Sequence, residues 1–387
     1  MGNIKDFNNQ GELENYIINH RRWFHMYPEL SFEEEKTAEK IKEELTKLNI
    51  EYQELEGTYS LIGTISGNTN NSKKVIGIRA DFDALPIQEE TNLEFTSKND
   101  GVMHSCGHDA HTAMLLGTAK FLSENKDKID GTIKLIFQAA EERSQGIQQV
   151  LDYFEETQAP DEVIGIHIWS GIEAGEVLLI PEAVFSGNGI IDYKIIGQGG
   201  HGARPDLVKD PIKASCDMVL HLSQIPSNYH DVLDNAVVSI CCIEGGNTIN
   251  VFPTDASIKG TYRYLKPMAG KSLREAVQRV ARGIESLHDV KVISNSEDGI
   301  PPVYNNPEMI KKAIEITSDI NGLEVSKQKE PISASDNYGK LLEKYNGIYA
   351  ILGGKKLGET FYPHHHPKFD IDEGVLIKGA EFMTKYT

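Results

Sequence analysis

The sequence predicts a two-domain α/β protein: a mixed-sheet domain interrupted by an inserted α+β unit of the split βαβ, ferredoxin-like type. Three observations predict it. The chain has 387 residues, more than one hydrophobic core usually serves. Apolar strand-like runs recur at residues 74–80, 131–138 and 162–166, with helical stretches between the second and each of the others. From residue 190 to 295 the order becomes strand, helix, strand, strand, helix, strand. The expected division is therefore 1–184, an insert at 185–296, and a return to the first domain at 297–387.

Residues 11–50 read as helix, turn, helix. Tyr16, Ile17, His20, Trp23 and Phe24 share one face, and Pro28 breaks the pattern. Ser31-Phe32-Glu33-Glu34 has the form of a capping box, and Thr37, Ile41, Leu45 and Leu48 continue at helical spacing. Glu33 to Glu35 read as acidic residues favoured in a first turn by the helix dipole, without chemistry. The three strands share a design. The first ends in Asp81-Phe82-Asp83, the second in Glu141-Glu142, the third in His167. In open α/β sheets ligands bind beyond the carboxyl ends of the strands. In the insert, a Gly-rich turn holding His201 follows the first strand, with helices near 210–223 and 273–287. Helices near 308–321 and 336–344, a strand at 347–352, the tract Tyr362-Pro363-His364-His365-His366-Pro367 and a helix from about residue 373 complete the chain.

Between the first two strands lies His104-Ser105-Cys106-Gly107-His108-Asp109-Ala110-His111. Burying each of these polar groups would demand its own partner, whereas one bound cation satisfies several. Thiolate and neutral imidazole are preferred ligands of zinc and similar ions. Gly107 permits a tight turn between Cys106 and His108, and Asp109 is the expected N-cap of the helix that follows. His104 and His111 read as structural imidazoles. One thiol, several imidazoles and several carboxylates suit a pair of divalent ions. Of Glu141 and Glu142, one would ligate and the other would serve as general base; spacing leaves open which.

Charge and composition exclude other classes. Lys plus Arg number 39 and Asp plus Glu 58, a formal charge of −19. Such a surface repels nucleic acid and anionic membrane. No run is long and apolar enough to span a bilayer, and the first ten residues carry no apolar signal region, so a cytoplasmic protein is expected. Four cysteines, two of them adjacent, make no disulfide framework.

The segments Arg79-Ala80-Asp81-Phe82-Asp83-Ala84-Leu85-Pro86, Met103 to His111, Ala140-Glu141-Glu142 and Gly165-Ile166-His167 resemble those of a zinc-peptidase-related family of metal-dependent amidohydrolases. That family includes N-acyl-amino-acid amidohydrolases (aminoacylases), hippurate hydrolases and auxin-amide hydrolases. His25 to Leu30, Gly199 to Pro205, Gly245 to Pro253 and His365 to Phe369 resemble its other motifs, so the likeness runs through nearly the whole chain. The resemblance implies a zinc-peptidase-like catalytic domain with an inserted lid or dimerisation domain, and a homodimer or higher homo-oligomer. It implies two divalent ions (zinc, manganese, cobalt or nickel) with Cys106 bridging them and His108, Glu142, His167 and His365 as the remaining ligands. Glu141 matches the general base, Asp83 a carboxylate that orients a ligand, and His201 a residue that steadies the oxyanion. Asn250 and Arg263 match substrate contacts, and a guanidinium suits the carboxylate of an N-acyl amino acid.

Two departures from the family pattern stand out. Ser335-Asp336-Asn337 replaces Glu-Asp-Phe, and Asp206 replaces a His after Ala-Arg-Pro. The expected reaction is hydrolysis of an N-acyl amino acid to a carboxylic acid and an amino acid. A dipeptidase or carboxypeptidase, a deacetylase of the N-acetyl-diaminopimelate type, and an inactive metal-containing binding module are the alternatives.

Overall fold

The structure, a computed structural model, describes residues 10–68, 72–228, 231, 234–297 and 299–387. The segment 1–9, on which the absence of a signal region partly rests, lies outside them. In chain order the elements are α1 (Gln10–Met26), α2 (Glu35–Lys47), β1 (Glu51–Glu54), β2 (Leu61–Ser66), β3 (Val75–Asp81), α3 (His108–Glu124), β4 (Thr132–Gln138), α4 (Ile147–Glu156), β5 (Glu162–Glu173), β6 (Glu176–Leu178), β7 (Glu182–Phe185), β8 (Gly187–Ile196), β9 (Gly200–His201), α5 (Pro211–Ser223), α6 (Ile225–Asn228), β10 (Ala236–Gly245), β11 (Val251–Phe252), β12 (Asp255–Tyr264), α7 (Pro267–His288), β13 (Lys291–Ser294), β14 (Val303–Asn305), α8 (Pro307–Ser318), β15 (Glu324–Val325), α9 (Gly339–Lys344), β16 (Asn346–Lys355) and α10 (Leu376–Tyr386).

The chain divides into two compact units. One comprises 1–182, 305–330 and 340–387; the other comprises 183–304 and 331–339. The second unit thus takes up 297–304 and 331–339, which the sequence assigns to the catalytic domain.

The first unit is built on an eight-stranded mixed sheet in the order β1-β2-β4-β3-β5-β16-β6-β15. Its centre is parallel: β3 lies between β4 and β5, and β5 pairs with β16. Every residue of β3 is buried, which is why Val75 to Ala80 read as a nearly unbroken apolar run. The run is interrupted by Arg79, whose guanidinium lies 2.7 Å from Asp81 and donates to Gln138 Oε1 and the Tyr349 hydroxyl. Helix α3 is buried along nearly its whole length. It packs so closely on α1 that a Cβ on Gly117 would meet Ile17 Cγ1 at 2.5 Å.

The second unit carries a four-stranded antiparallel sheet, β10-β12-β8-β13. Strand β8 alternates buried with more exposed residues, the signature of a sheet with one face on a core. That core includes Ile191, Ile195, Ala214, Met218, Leu273 and Val277, so α5 and α7 supply its other side. Asp210 caps α5 by accepting from Ile212 N and Lys213 N, with Pro211 at the first helical position.

Three local expectations fail. Asp109 is not the N-cap of α3; the helix begins at His108 after Gly107, and Asp109 is drawn inward by Arg21 and His25. Ser31 forms no capping box; its hydroxyl donates to Asp83 Oδ2, and Glu29 accepts from Lys36 N and Thr37 N instead. Strand β5 does not end at His167 but runs on to Glu173.

Candidate metal and catalytic site

The donors of the first unit gather at the carboxyl ends of its strands. Ligand atoms of Cys106, His108 and His167 lie within 4.8 Å of one another, as do those of Cys106, Glu142 and His365, and those of His108, Glu141 and Glu142. Cys106 Sγ is 3.6 Å from His167 Nε2. Glu142 Oε1 is 3.9 Å from His108 Nε2 and 3.8 Å from His365 Nε2.

Gly107 makes the first triad possible. Its φ is +88°, a conformation few other residues adopt, and a Cβ there would strike Ile168 Cγ2 at 2.4 Å. The turn brings Cys106 and His108 to one side.

Each imidazole is oriented by the nitrogen that faces away from the cluster. His108 Nδ1 donates to the Asp83 carbonyl at 3.0 Å and approaches Asp83 Oδ1 at 3.3 Å, which leaves the Nε2 lone pair aimed inward. His167 Nδ1 donates to Ile168 O at 2.7 Å, with the same result. His111 is different. Its Nε2 accepts from Ile168 N, so its Nδ1 must donate to Asp81 Oδ1, and neither nitrogen is left for an ion. Asp81 therefore supports His111 and pairs with Arg79.

Of the three clustered histidines, His365 alone joins a donor group. His364 Nε2 accepts from Ser170 N and its ring stacks on Trp169, while His366 Nδ1 accepts from Lys368 N. His365 is held in a left-handed conformation at φ +64°, with its N–H on Ser105 O. His104 is buried, and neither of its ring nitrogens has a hydrogen-bond partner among the described residues.

The electrostatics of the cluster call for positive charge. Burial, then the neighbouring Asp83 and Asp81, push Glu142 up to about 7 against the pull of His108. Burial and Glu142 push the Cys106 thiol well up. Among the described residues Glu142 Oε1 is buried without a hydrogen-bond partner. A divalent cation favours the carboxylate and thiolate forms and gives that oxygen a partner, so the donor set fits one. Asp83 behaves otherwise. Burial opposes its charge, but His108, Ser31 Oγ at 2.7 Å and Glu142 N at 2.9 Å hold it below the usual carboxylate range.

The residues of the insert are placed within the second unit. His201 lies on β9, paired with Val251 of β11, and Gly202 N donates to Asn250 O at 2.8 Å. His201 Nδ1 accepts from Ala203 N, so its exposed Nε2 carries the proton. Arg263 Nη1 donates to Ser335 Oγ at 2.6 Å, and Ser335 donates in turn to Ser186 O. Asp206 forms a two-point pair with Arg204 in full solvent.

Sequence reasoning passes over several groups around the cluster. His25 donates to both Asp109 and Glu89, and Arg21 lies 3.0 Å from Asp109; all four side chains are buried. Glu34, read as a capping-box and first-turn carboxylate, is fully buried, and its Oε1 accepts from Ala140 N.

Comparison with known proteins supplies the family. The chain matches the family described as Peptidase family M20/M25/M40 over residues 77–387. It is 36% identical to thermostable carboxypeptidase 1 of Saccharolobus solfataricus, across 96% of this chain and 95% of that one. It is 38% identical to the N-acyl-L-amino acid amidohydrolase of Geobacillus stearothermophilus, across 77% and 80%. The Bacillus subtilis YXEP protein, a dinuclear metal binding peptidase of the M20 family, superposes with a TM-score of 0.83 at 30% identity, across 97% of both chains. The chain belongs to the peptidase family M20/M25/M40.

Proposed function

We propose that this family member is a hydrolase that cleaves the amide bond of N-acyl amino acids at two divalent metal ions, releasing a carboxylic acid and an amino acid. One observation carries the reading: Cys106 belongs to two donor groups at once, with His108 and His167 on one side and with Glu142 and His365 on the other. A thiolate so placed would bridge two ions. Zinc, manganese, cobalt and nickel all suit thiolate, imidazole and carboxylate together. Ions bound there would polarise the scissile carbonyl and lower the pKa of a water.

The chain's own residues divide the remaining work. Among the described residues Glu142 groups with both Cys106 and His365, whereas Glu141 groups with His108 and Glu142. That difference supports Glu142 as the ligand. Glu141 takes the proton of the attacking water and returns it to the leaving nitrogen. Asp83 fixes the His108 ring and, in the neutral imidazole, places the proton on Nδ1. His201, with its Nε2–H turned outward, donates to the oxyanion. Arg263, whose Nη1 donates to the Ser335 hydroxyl, pairs with the carboxylate of the amino-acid half, and Asn250 contacts substrate beside His201.

The named activity of the Geobacillus stearothermophilus relative favours N-acyl amino acids, and that of the Saccharolobus solfataricus relative favours a second reading, a carboxypeptidase. Both would use the same donors and the same carboxylate contact. Hippurate, N-acetyl-methionine and a dipeptide, each with and without a chelator, separate them. Chelator-sensitive release of benzoate and acetate with little dipeptide turnover is expected. Preferential dipeptide cleavage would install the second reading, and no turnover of any of the three would defeat both. A free Cys106 suits a reducing, cytoplasmic setting. Strand β10 lies at a sheet edge with Val237 and Ile243 exposed, which suits a homodimer formed through the insert.

A further inference from the structure

We propose that Glu34 is a positioning residue for the catalytic carboxylates: its buried side chain fixes the backbone turn from which Glu141 and Glu142 project. The inference rests on the assignment of Glu141 and Glu142 given above.

The turn begins where β4 ends at Gln138. Ala140 adopts φ +55° and Ser144 φ +56°, left-handed conformations that L residues enter only when their surroundings impose them. Ser144 N bonds Glu141 O at 2.6 Å, and Gln145 N bonds Ala140 O at 3.0 Å. The chain closes on itself so tightly that a Cβ on Gly146 would lie 1.9 Å from Ala139 O. In leaving the sheet, the N–H groups of residues 139, 140 and 142 find their partners in side chains. Ser60 Oγ accepts from Ala139 N, Glu34 Oε1 from Ala140 N, and Asp83 Oδ2 from Glu142 N, each at 2.9 Å. Three distant segments thus clamp four consecutive residues, and the two glutamates at the end of that stretch inherit their direction from it.

Locally, the Glu34 carboxyl also accepts from its own N–H and from Phe32 N. The residue precedes α2 but makes no side-chain cap of that helix, a task that falls to Glu29. Its Oε2 is buried without a hydrogen-bond partner among the described residues. Burying a carboxylate costs stability, so a position serving the core alone would do better with an apolar side chain. What this carboxylate supplies is an acceptor for the N–H of the left-handed Ala140, 106 residues away.

The test uses the full-length, metal-loaded protein with hippurate, comparing E34A, E34Q and E34M with wild type and with E141Q. E34Q keeps an oxygen at Oε1; E34M fills the volume without one and replaces E34A should that variant fail to fold. Expected is a fall in kcat of about 10- to 100-fold for E34A or E34M with KM changed less than about twofold, and recovery by E34Q to within about threefold of wild type. Wild-type kcat in E34A or E34M, or equal impairment of E34Q and E34M, would overturn the proposal. The E141Q control separates the two layers. An inactive E141Q beside an unimpaired E34M refutes the positioning role alone, whereas a fully active E141Q refutes the general-base assignment on which it rests.

Discussion

The donors of the first unit and the residues of the second proposed to meet substrate are held in opposite ways. Around Cys106, the ring nitrogens of His108 and His167 that point away from the cluster are already engaged, and Asp83 is gripped from three directions. His201 and Arg263 stand on exposed parts of the second unit, where the His201 ring accepts from Ala203 N and the Arg263 guanidinium donates to Ser335 Oγ. The difference follows from what each must meet. An ion demands donors placed to a few tenths of an ångström, which only packed and hydrogen-bonded side chains provide. A substrate must enter and leave, so its contacts stay near solvent and keep spare hydrogen-bonding capacity.

If the contrast is real, substitutions in the two regions differ in kind as well as in size. E141Q should show the largest kinetic effect, a loss of about 10²- to 10⁴-fold in kcat, while elemental analysis still finds two metal ions per chain. Full activity in that variant would remove the general base from its role. Next comes stability. D109A leaves Arg21 and His25 buried with one fewer counter-charge and is expected to cost about 3–5 kcal/mol, read as a lower thermal midpoint. Burial opposes the charge of Asp109, but Arg21 and His25 hold its carboxyl far below the usual range. Its contribution is therefore present at pH values above the unfolded carboxylate value of about 4 and fades as pH falls below it. The gap between wild type and D109A should accordingly narrow in acid.

Smaller effects belong to the second unit. R263A should raise KM for hippurate about 10- to 100-fold, with metal content and thermal midpoint unchanged, as expected for a charge-assisted contact made only with substrate. Loss of metal in R263A would erase the distinction between the regions. S335A should be milder still, a rise in KM of a few fold, because it frees the guanidinium without removing it. S335E provides the sharper counterpart. A carboxylate at that position would neutralise Arg263, and KM should rise toward the R263A value.

Much of this architecture is legible in the chain. The strands β3, β4 and β5 announce themselves as apolar runs because both faces of the central sheet are covered. The insert is readable for the opposite reason, since its strand β8 alternates. Cys106-Gly107-His108 stands out because no ordinary core accommodates that mixture. What escapes is whatever depends on distant partners. Arg21 and His25 look like the polar side of a surface helix until Asp109, more than eighty positions away, is brought against them. Glu34 looks like a solvated first-turn carboxylate, and only the closed sheet reveals Ala140 beside it. The capping box at Ser31 fails through the same competition, since Asp83 offers that hydroxyl a charged acceptor. Residues 331–339 carry no periodic pattern that would assign them to the insert; they join it through contacts such as Ser186 N to Ala334 O.

The central claim is that one thiolate serves two cations. Titration of chelator-stripped protein with zinc, followed by calorimetry on wild type and C106A, addresses it directly. The account predicts two ions per wild-type chain and the loss of both high-affinity sites in C106A. A single ion in wild type, or two ions bound undiminished by C106A, would contradict it.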